Sequence, residues 1–315
     1  MSQIGHREVE HTITVDVPAA KVYQLLADVT NWPRVFPPTI HVDQVERSGS
    51  TERIRIWATA NGEVKTWTSR RDLDAVALRI EFRQEVTQPP VASMSGTWIV
   101  EPAPGGGSLV RLLHQYRAID DDLEQLAWLD RAVDSNSRTE LAALKANVEA
   151  VADAEGRLEF TFEDSVDIHG RAEDVYAFLN EAGEWRTRLP HVARVNMTED
   201  DPGLQILEMD TRTKDGSTHT TKSVRVCFPN DHIVYKQITL PALMTLHTGR
   251  WQLSGDGHRV TATSQHTVSI NETNIAAILG PDAGVADARA FVRAALGGNS
   301  MATLQHAKEY AESRR

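Results

Sequence analysis

Arg71 is the side chain of this sequence with most to explain. It ends the run Gly62-Glu-Val-Lys65-Thr-Trp67-Thr-Ser69-Arg-Arg71. Side chains alternate along a β-strand, so Lys65, Trp67, Ser69 and Arg71 share one face, with Arg70 on the other. Trp67 and Leu73 mark the shared face as inward. A guanidinium among apolar groups needs a partner or a purpose, because an unpaired buried charge costs several kcal/mol. One reading pairs Arg71 with an acid such as Asp28 or Asp72. The other uses it to stabilise a developing oxyanion without ever losing its proton. The pattern alone leaves both open. Ser69 can orient a carbonyl or a water, but no Gly-x-Ser-x-Gly turn equips it as a nucleophile.

The same face recurs as Thr221, Ser223, Arg225 and Cys227. There Val224, Val226 and Phe228 are also apolar, so the inward side is less sharply marked. The recurrence is general. Trp32 and Trp185 lie 153 residues apart (185 − 32), as do Trp98 and Trp251 (251 − 98). Val22-Tyr23 returns as Val175-Tyr176, Gly96-Thr-Trp98 as Gly249-Arg-Trp251, and Asn136-Ser137 as Asn299-Ser300. A period this long is a duplicated domain rather than a solenoid unit. His191 falls at the second half's counterpart of Pro38 and is the histidine to test near a pocket; His114, His247 and His266 lie on strands that could face a cavity.

The elements that must position these residues repeat in the same order. A strand at 9–17 is followed by a helix opened by Pro18, a well-suited residue for a helix start. A short helical turn follows at Asn31-Trp32-Pro33. Six strands are predicted at 41–47, 52–59, 64–73, 76–85, 92–101 and 109–119, with a hairpin turn at Asn61-Gly62, and then a helix at 123–151 interrupted near Ser135. The second half predicts a strand at 159–168, helices at 173–180 and 184–188, six strands between 192 and 270, and a helix at 285–312 kinked at Gly297-Gly298. A curved sheet gripping one helix leaves a hollow suited to a small molecule.

Composition narrows the field. Of 315 residues, 41% are hydrophobic and 24% charged, as in a soluble globular protein. The net charge of −11 argues against nucleic acid as a partner. Cys227 is the single cysteine, which fits a reducing compartment, and no apolar stretch is long enough to span a bilayer, so a cytoplasmic location is expected. No His-Glu-x-x-His or close Cys/His cluster points to a metal, and no Gly-x-Gly-x-x-Gly to a dinucleotide. Lys65, Arg70, Arg79 and Arg83 fall on neighbouring strands and form a candidate basic docking patch.

Trp32-Pro33 beside a helix, Gly62-x-Val-x-x-Trp67-x-Ser69-x-Arg71, Trp98, and Asn136-Ser137 in the last helix together resemble the polyketide aromatase/cyclases of bacterial type II (aromatic) pathways; the duplication resembles their di-domain form. The resemblance implies an α+β fold of two tandem helix-grip (START/Bet v 1-like) domains, 1–153 and 157–315, each a curved antiparallel seven-stranded sheet around a long C-terminal helix. It implies catalytic roles for Arg71 and Ser69, repeated by Arg225 and Ser223. It implies substrate-binding roles for Trp32, Trp67, Trp98, Trp185 and Trp251, with Asn136 and Asn299 on the last helices and His191 beside the second pocket. The implied reaction is a cofactor-free cyclisation, dehydration and aromatisation of the first ring, in the C7–C12 register, of a poly-β-ketone carried by an acyl carrier protein, among other type II polyketide synthase components. Thr39 stands where single-domain members often have a pocket Tyr, and Lys65 where they have a second Trp. The first half keeps more of the motif and is expected to hold the main site. The rival expectations are a helix-grip carrier for an aromatic or lipid-like ligand, and a structural pseudo-dimer.

Overall fold

The computed structural model describes residues 6–60, 62–154, 156–212, 216 and 218–314. The chain divides into two units, 1–155 and 156–315. The first unit runs β1 (His6–Val15), α1 (Ala19–Ala27), α2 (Trp32–Val35), β2 (Thr39–Ser48), β3 (Thr51–Ala60), β4 (Glu63–Asp74), β5 (Arg79–Gln84), β6 (Val91–Pro102), β7 (Ser108–Ala118) and α3 (Leu123–Ala154). Its antiparallel sheet has the order β1-β7-β6-β5-β4-β3-β2, a meander whose first strand closes onto the last. The second unit repeats this with β8 (Glu159–Ile168), α4 (Ala172–Asn180), α5 (Trp185–Arg188), β9 (Val192–Asp201), β10 (Leu204–Arg212), β11 (Thr218–Phe228), β12 (His232–Thr239), β13 (Met244–Asp256), β14 (Arg259–Ile270), α6 (Ile275–Leu279) and α7 (Val285–Glu312). Its sheet order is β8-β14-β13-β12-β11-β10-β9. Each unit is a helix-grip domain: the long helix α3 packs on β1 and β7, and α7 on β8 and β14.

The alternation that drives this is plain in β3, where Ile54, Ile56 and Ala58 are buried and Arg53 and Arg55 face out. The first core gathers Val15, Leu26, Trp98, Leu112 and Leu144, the second Ile168, Phe178, Trp251 and Leu304. Asp122 starts α3 by accepting the backbone N–H groups of Glu124 and Gln125 at 2.9 Å each.

Three local expectations differ from the structure. Helix α3 runs unbroken past Ser135. Helix α7 stays helical through Gly297 and Gly298; a Cβ on Gly297 would lie 2.0 Å from the Arg293 guanidinium, so this glycine makes room for the Arg293–Asp164 ion pair. The strand expected from 76 begins at Arg79, because Asp74 Oδ1 accepts the N–H groups of Val76 and Ala77 and folds that segment into a turn. Asn61 of the expected hairpin turn lies outside the described residues.

Candidate active site

In the first unit, β4 presents Ser69 and Arg71 inward and Trp67 against Val29, Val42, Ile54 and Ile56. Antiparallel register sets Glu52 of β3 directly opposite Arg71. Arg71 Nε lies 2.9 Å from Glu52 Oε1, both side chains 1% exposed, as an ion pair without hydrogen-bond alignment. Its other nitrogens donate to the last carbonyls of α1, Nη1 to Leu26 O (3.0 Å) and Nη2 to Ala27 O (2.7 Å). The guanidinium also sits 5.1 Å over the Trp32 ring, whose Nε1 donates to Leu26 O at 3.1 Å. Arg71 and Trp32 thus close the C-terminal end of α1, where exposed carbonyls attract donors and positive charge. Burial lowers the Arg71 pKa to about 10, opposed by Glu52, and the group stays cationic at neutral pH. The partner of Arg71 is Glu52 rather than Asp28, which caps Thr30, or Asp72, which accepts from Thr51. Ser69 Oγ donates to Arg83 O at 3.0 Å. Trp98 is buried beside Phe36.

The second unit uses the same frame with one change. Gln205 takes the place of Glu52 opposite Arg225. Its Nε2 is committed elsewhere, donating to Asn180 O (3.1 Å) and Glu199 Oε2 (2.8 Å), while its Oε1 is buried without a hydrogen-bond partner. Arg225 is 2% exposed and donates Nη2 to Leu179 O at 2.6 Å, while Trp185 lies 5.2 Å under it and donates to Phe178 O. Arg225 Nη1 is buried without a hydrogen-bond partner, and among the described residues no carboxylate stands within ion-pair distance of this cation. Burial lowers its pKa.

Arg225 lines a cavity of about 790 Å³, a volume that includes the space at its mouth. Ser223, Trp185, Trp251, His191 and Asn299 share the wall, and so do Thr221, His247 and His266, so nine residues singled out in the sequence converge there. Asn136, the counterpart of Asn299, has an exposed side chain; its neighbour Ser137 is buried, with Oγ 3.4 Å from His114 Nδ1. The basic patch is largely neutralised: Lys65 pairs with Glu63, Arg70 with Glu85 and Arg79 with Glu81.

The cavity also holds a polar cluster that sequence reasoning did not assemble. His247 Nε2 lies 2.9 Å from His266 Nδ1, Tyr235 Oη 3.2 Å from the same nitrogen, and Ser264 Oγ 3.1 Å from His266 Nε2. Two tautomer assignments fit these contacts: His247 Nε2–H and Tyr235 O–H donate to His266 Nδ1 while His266 Nε2–H donates to Ser264, or His266 Nδ1–H donates to Tyr235 and His247 while Ser264 O–H donates to His266 Nε2. Burial holds His266 at about 4 and His247 well below its ordinary value, so both imidazoles are neutral at pH 7, and it raises the Tyr235 phenol. Neutral imidazoles linked to a phenol can pass a proton along the wall. The repeated Gly-x-Trp finds its reason here. Gly249 stands opposite Tyr235, and a Cβ would lie 2.2 Å from its ring; Gly96 makes the same room for Phe82. In the first unit Glu140 stands on α3 at the position that Thr303 occupies on α7, and burial pushes its carboxyl up to about 7. The signal for Tyr235 was the glycine across the strand, which reads only once register is known.

A sequence model described as polyketide cyclase/dehydrase and lipid transport matches residues 6–149 and again 159–312. The chain belongs to this cyclase/dehydrase family. The bifunctional cyclase/dehydratase of the granaticin polyketide synthase from Streptomyces virginiae is 52% identical over 94% of this chain and 97% of its own length. The di-domain ARO/CYC BexL from the BE-7585A biosynthetic pathway superposes with a TM-score of 0.92 at 62% identity, covering 97% of this chain and 99% of its own. The di-domain ARO/CYC StfQ from the steffimycin pathway gives a TM-score of 0.86 at 35% identity over 97% of this chain and 99% of its own. Among the described residues of this family member, no three His, Cys, Asp or Glu side chains group as metal ligands, and no helix is long and apolar enough to cross a membrane.

Proposed function

We propose that this cyclase/dehydratase closes, dehydrates and aromatises the first ring of a poly-β-ketone delivered by an acyl carrier protein within a type II polyketide synthase, in the C7–C12 register, in the cytoplasm. Its relatives' activities and the di-domain match support the reaction class. The observation that carries the chemistry is Arg225 at the wall of a Trp-lined cavity, with no carboxylate facing it and its Nη1 buried without a hydrogen-bond partner. A methylene between two ketones is acidic; its enolate carbon attacks a folded-back carbonyl, and the carbonyl's π electrons move to oxygen. The alkoxide that forms is stabilised by the Arg225 guanidinium at the cavity wall, a positive charge already fixed before the negative one appears. Proton return gives the β-hydroxy ketone. Loss of one water and enolisation give the aromatic ring, with Tyr235, His266 and His247 as the proton path. Holding the chain folded supplies much of the rate.

The fuller motif of the first half supports a site at Arg71; the ion pair with Glu52 weighs toward Arg225 for the oxyanion role. The test is reconstitution with a minimal polyketide synthase and carrier protein, with and without a ketoreductase. Wild type should direct one first ring, and Arg225→Ala should return the uncontrolled mixture. A wild-type mixture equal to the enzyme-free control in both backgrounds rejects the enzyme reading and favours a binding protein. Loss of direction in Arg71→Ala alone, with the variant folded, moves the oxyanion role to the first unit.

A further inference from the structure

A second concavity in the second unit lies beside the cavity and has a different character. Its wall carries Arg186, Arg188, Arg212 and His306, and no carboxylate among its described lining residues. Pro190 and Val192 line this cleft while His191 between them lines the cavity, so one turn is the wall of both. The arginines are placed by the fold. Arg212 Nη1 donates to Pro190 O at 3.1 Å. Arg188 is held by Glu181 (2.6 Å) and stacks 5.0 Å from the Tyr310 ring, and its Nη1 is buried without a partner. Glu309 approaches His306 at 3.3 Å. The overall charge is −11, so this concentration of cations is local.

The duplication provides an internal control. At the offset of the two tryptophans, the first unit has Pro33, Val35 and Thr59 where the second has Arg186, Arg188 and Arg212. The backbone there is the same, with Thr59 N–H donating to Pro38 O at 2.9 Å and Arg212 N–H to His191 O at 2.8 Å. The helix-grip frame therefore forms without these cations, so their presence on one copy is not a requirement of the fold.

We propose that this cleft binds a phosphate ester, and that the ester is that of the phosphopantetheine arm by which a carrier protein holds its acyl chain. Planar guanidinium forks match phosphate oxygens two at a time. A phosphate fixed here puts the arm at the His191 turn, next to the cavity that its thioester-bound chain must enter. The assignment of the arm rests on the carrier-bound substrate proposed above; the phosphate site rests on the cleft alone.

The test is calorimetric titration of the whole protein at low salt with 4′-phosphopantetheine, pantetheine and inorganic phosphate, for wild type and for R186Q/R212Q. Both side chains are exposed, and a melting curve checks that the pair folds; should it not, R186Q alone replaces it. Phosphopantetheine is expected to bind wild type more tightly than either fragment, to weaken as salt rises, and to lose affinity about tenfold in the double variant. Equal affinity in wild type and variant overturns the site. Inorganic phosphate binding as tightly as phosphopantetheine overturns the arm and leaves a free-anion site. Directed cyclisation without phosphopantetheine binding rejects the cleft alone, whereas binding without directed cyclisation supports the cleft and rejects the cyclase reading.

Discussion

Two arginines with the same local sequence have different standing because of one atom on the next strand. Arg71 faces a carboxylate and Arg225 faces a neutral amide whose nitrogen is engaged elsewhere. Removing one partner of a buried pair leaves the other charge uncompensated, which costs more than the pair itself contributes. Arg71→Ala is therefore expected to destabilise the first unit by about 3–5 kcal/mol, since Glu52 would be stranded. Adding Glu52→Gln should restore part of that loss. Denaturant unfolding of the single and double variants measures it, and a double variant no more stable than Arg71→Ala contradicts the ion-pair account. Arg225 has no such carboxylate to strand, so its removal should act on product direction more than on stability.

Register does as much as residue identity at the level of elements. The inward arginine, the serine two residues before it, and the glycine that admits an aromatic ring all depend on which residues face each other across strands. Gly249→Ala puts a methyl group 2.2 Å from the Tyr235 ring, and the flanking strand cannot move without breaking its ladder. The expected cost is about 1–3 kcal/mol, as for overpacking elsewhere. A lowered melting temperature together with an altered Tyr235 fluorescence or ring resonance would show it; an unchanged melting temperature would mean that the ring relocates freely. Gly96→Ala should behave alike through Phe82.

Over the whole molecule, buried histidines couple folding to pH. Burial holds His114 and His266 at about 4, holds His247 well below its ordinary value, and lowers His191 and His219. Unfolded, each would titrate near 6.5. Between about 4 and 6.5 the unfolded chain thus binds more protons than the folded one, so stability rises with pH through that window and is lost on acidification. A single fully depressed histidine contributes at most ~1.4 kcal/mol per pH unit. Glu140, raised to about 7, acts in the opposite sense above its ordinary 4.5, one group against five. The melting temperature should fall steadily from about pH 7 to about pH 5, and a flat or rising profile would show that these imidazoles are not held neutral.

Periodicity and duplication sufficed to determine two helix-grip domains, the inward face of β4, and the pairing of motifs between halves, because alternation and repeat spacing are properties of the chain itself. The pattern does not show that β5 starts at Arg79 or that α7 continues through Gly297, since an Asx turn and a close ion pair act through neighbours that composition does not reveal. What only the tertiary structure decided is which arginine lacks a facing carboxylate. Glu52 and Gln205 lie far from their arginines in sequence terms and carry no motif; antiparallel register brings them opposite. The same holds for the Tyr235–His266–His247 cluster, drawn from three strands, and for the arginine cleft, drawn from a helical turn, a strand end and the last helix. A charge's chemistry depends on what surrounds it, and surroundings are set by pairing in space.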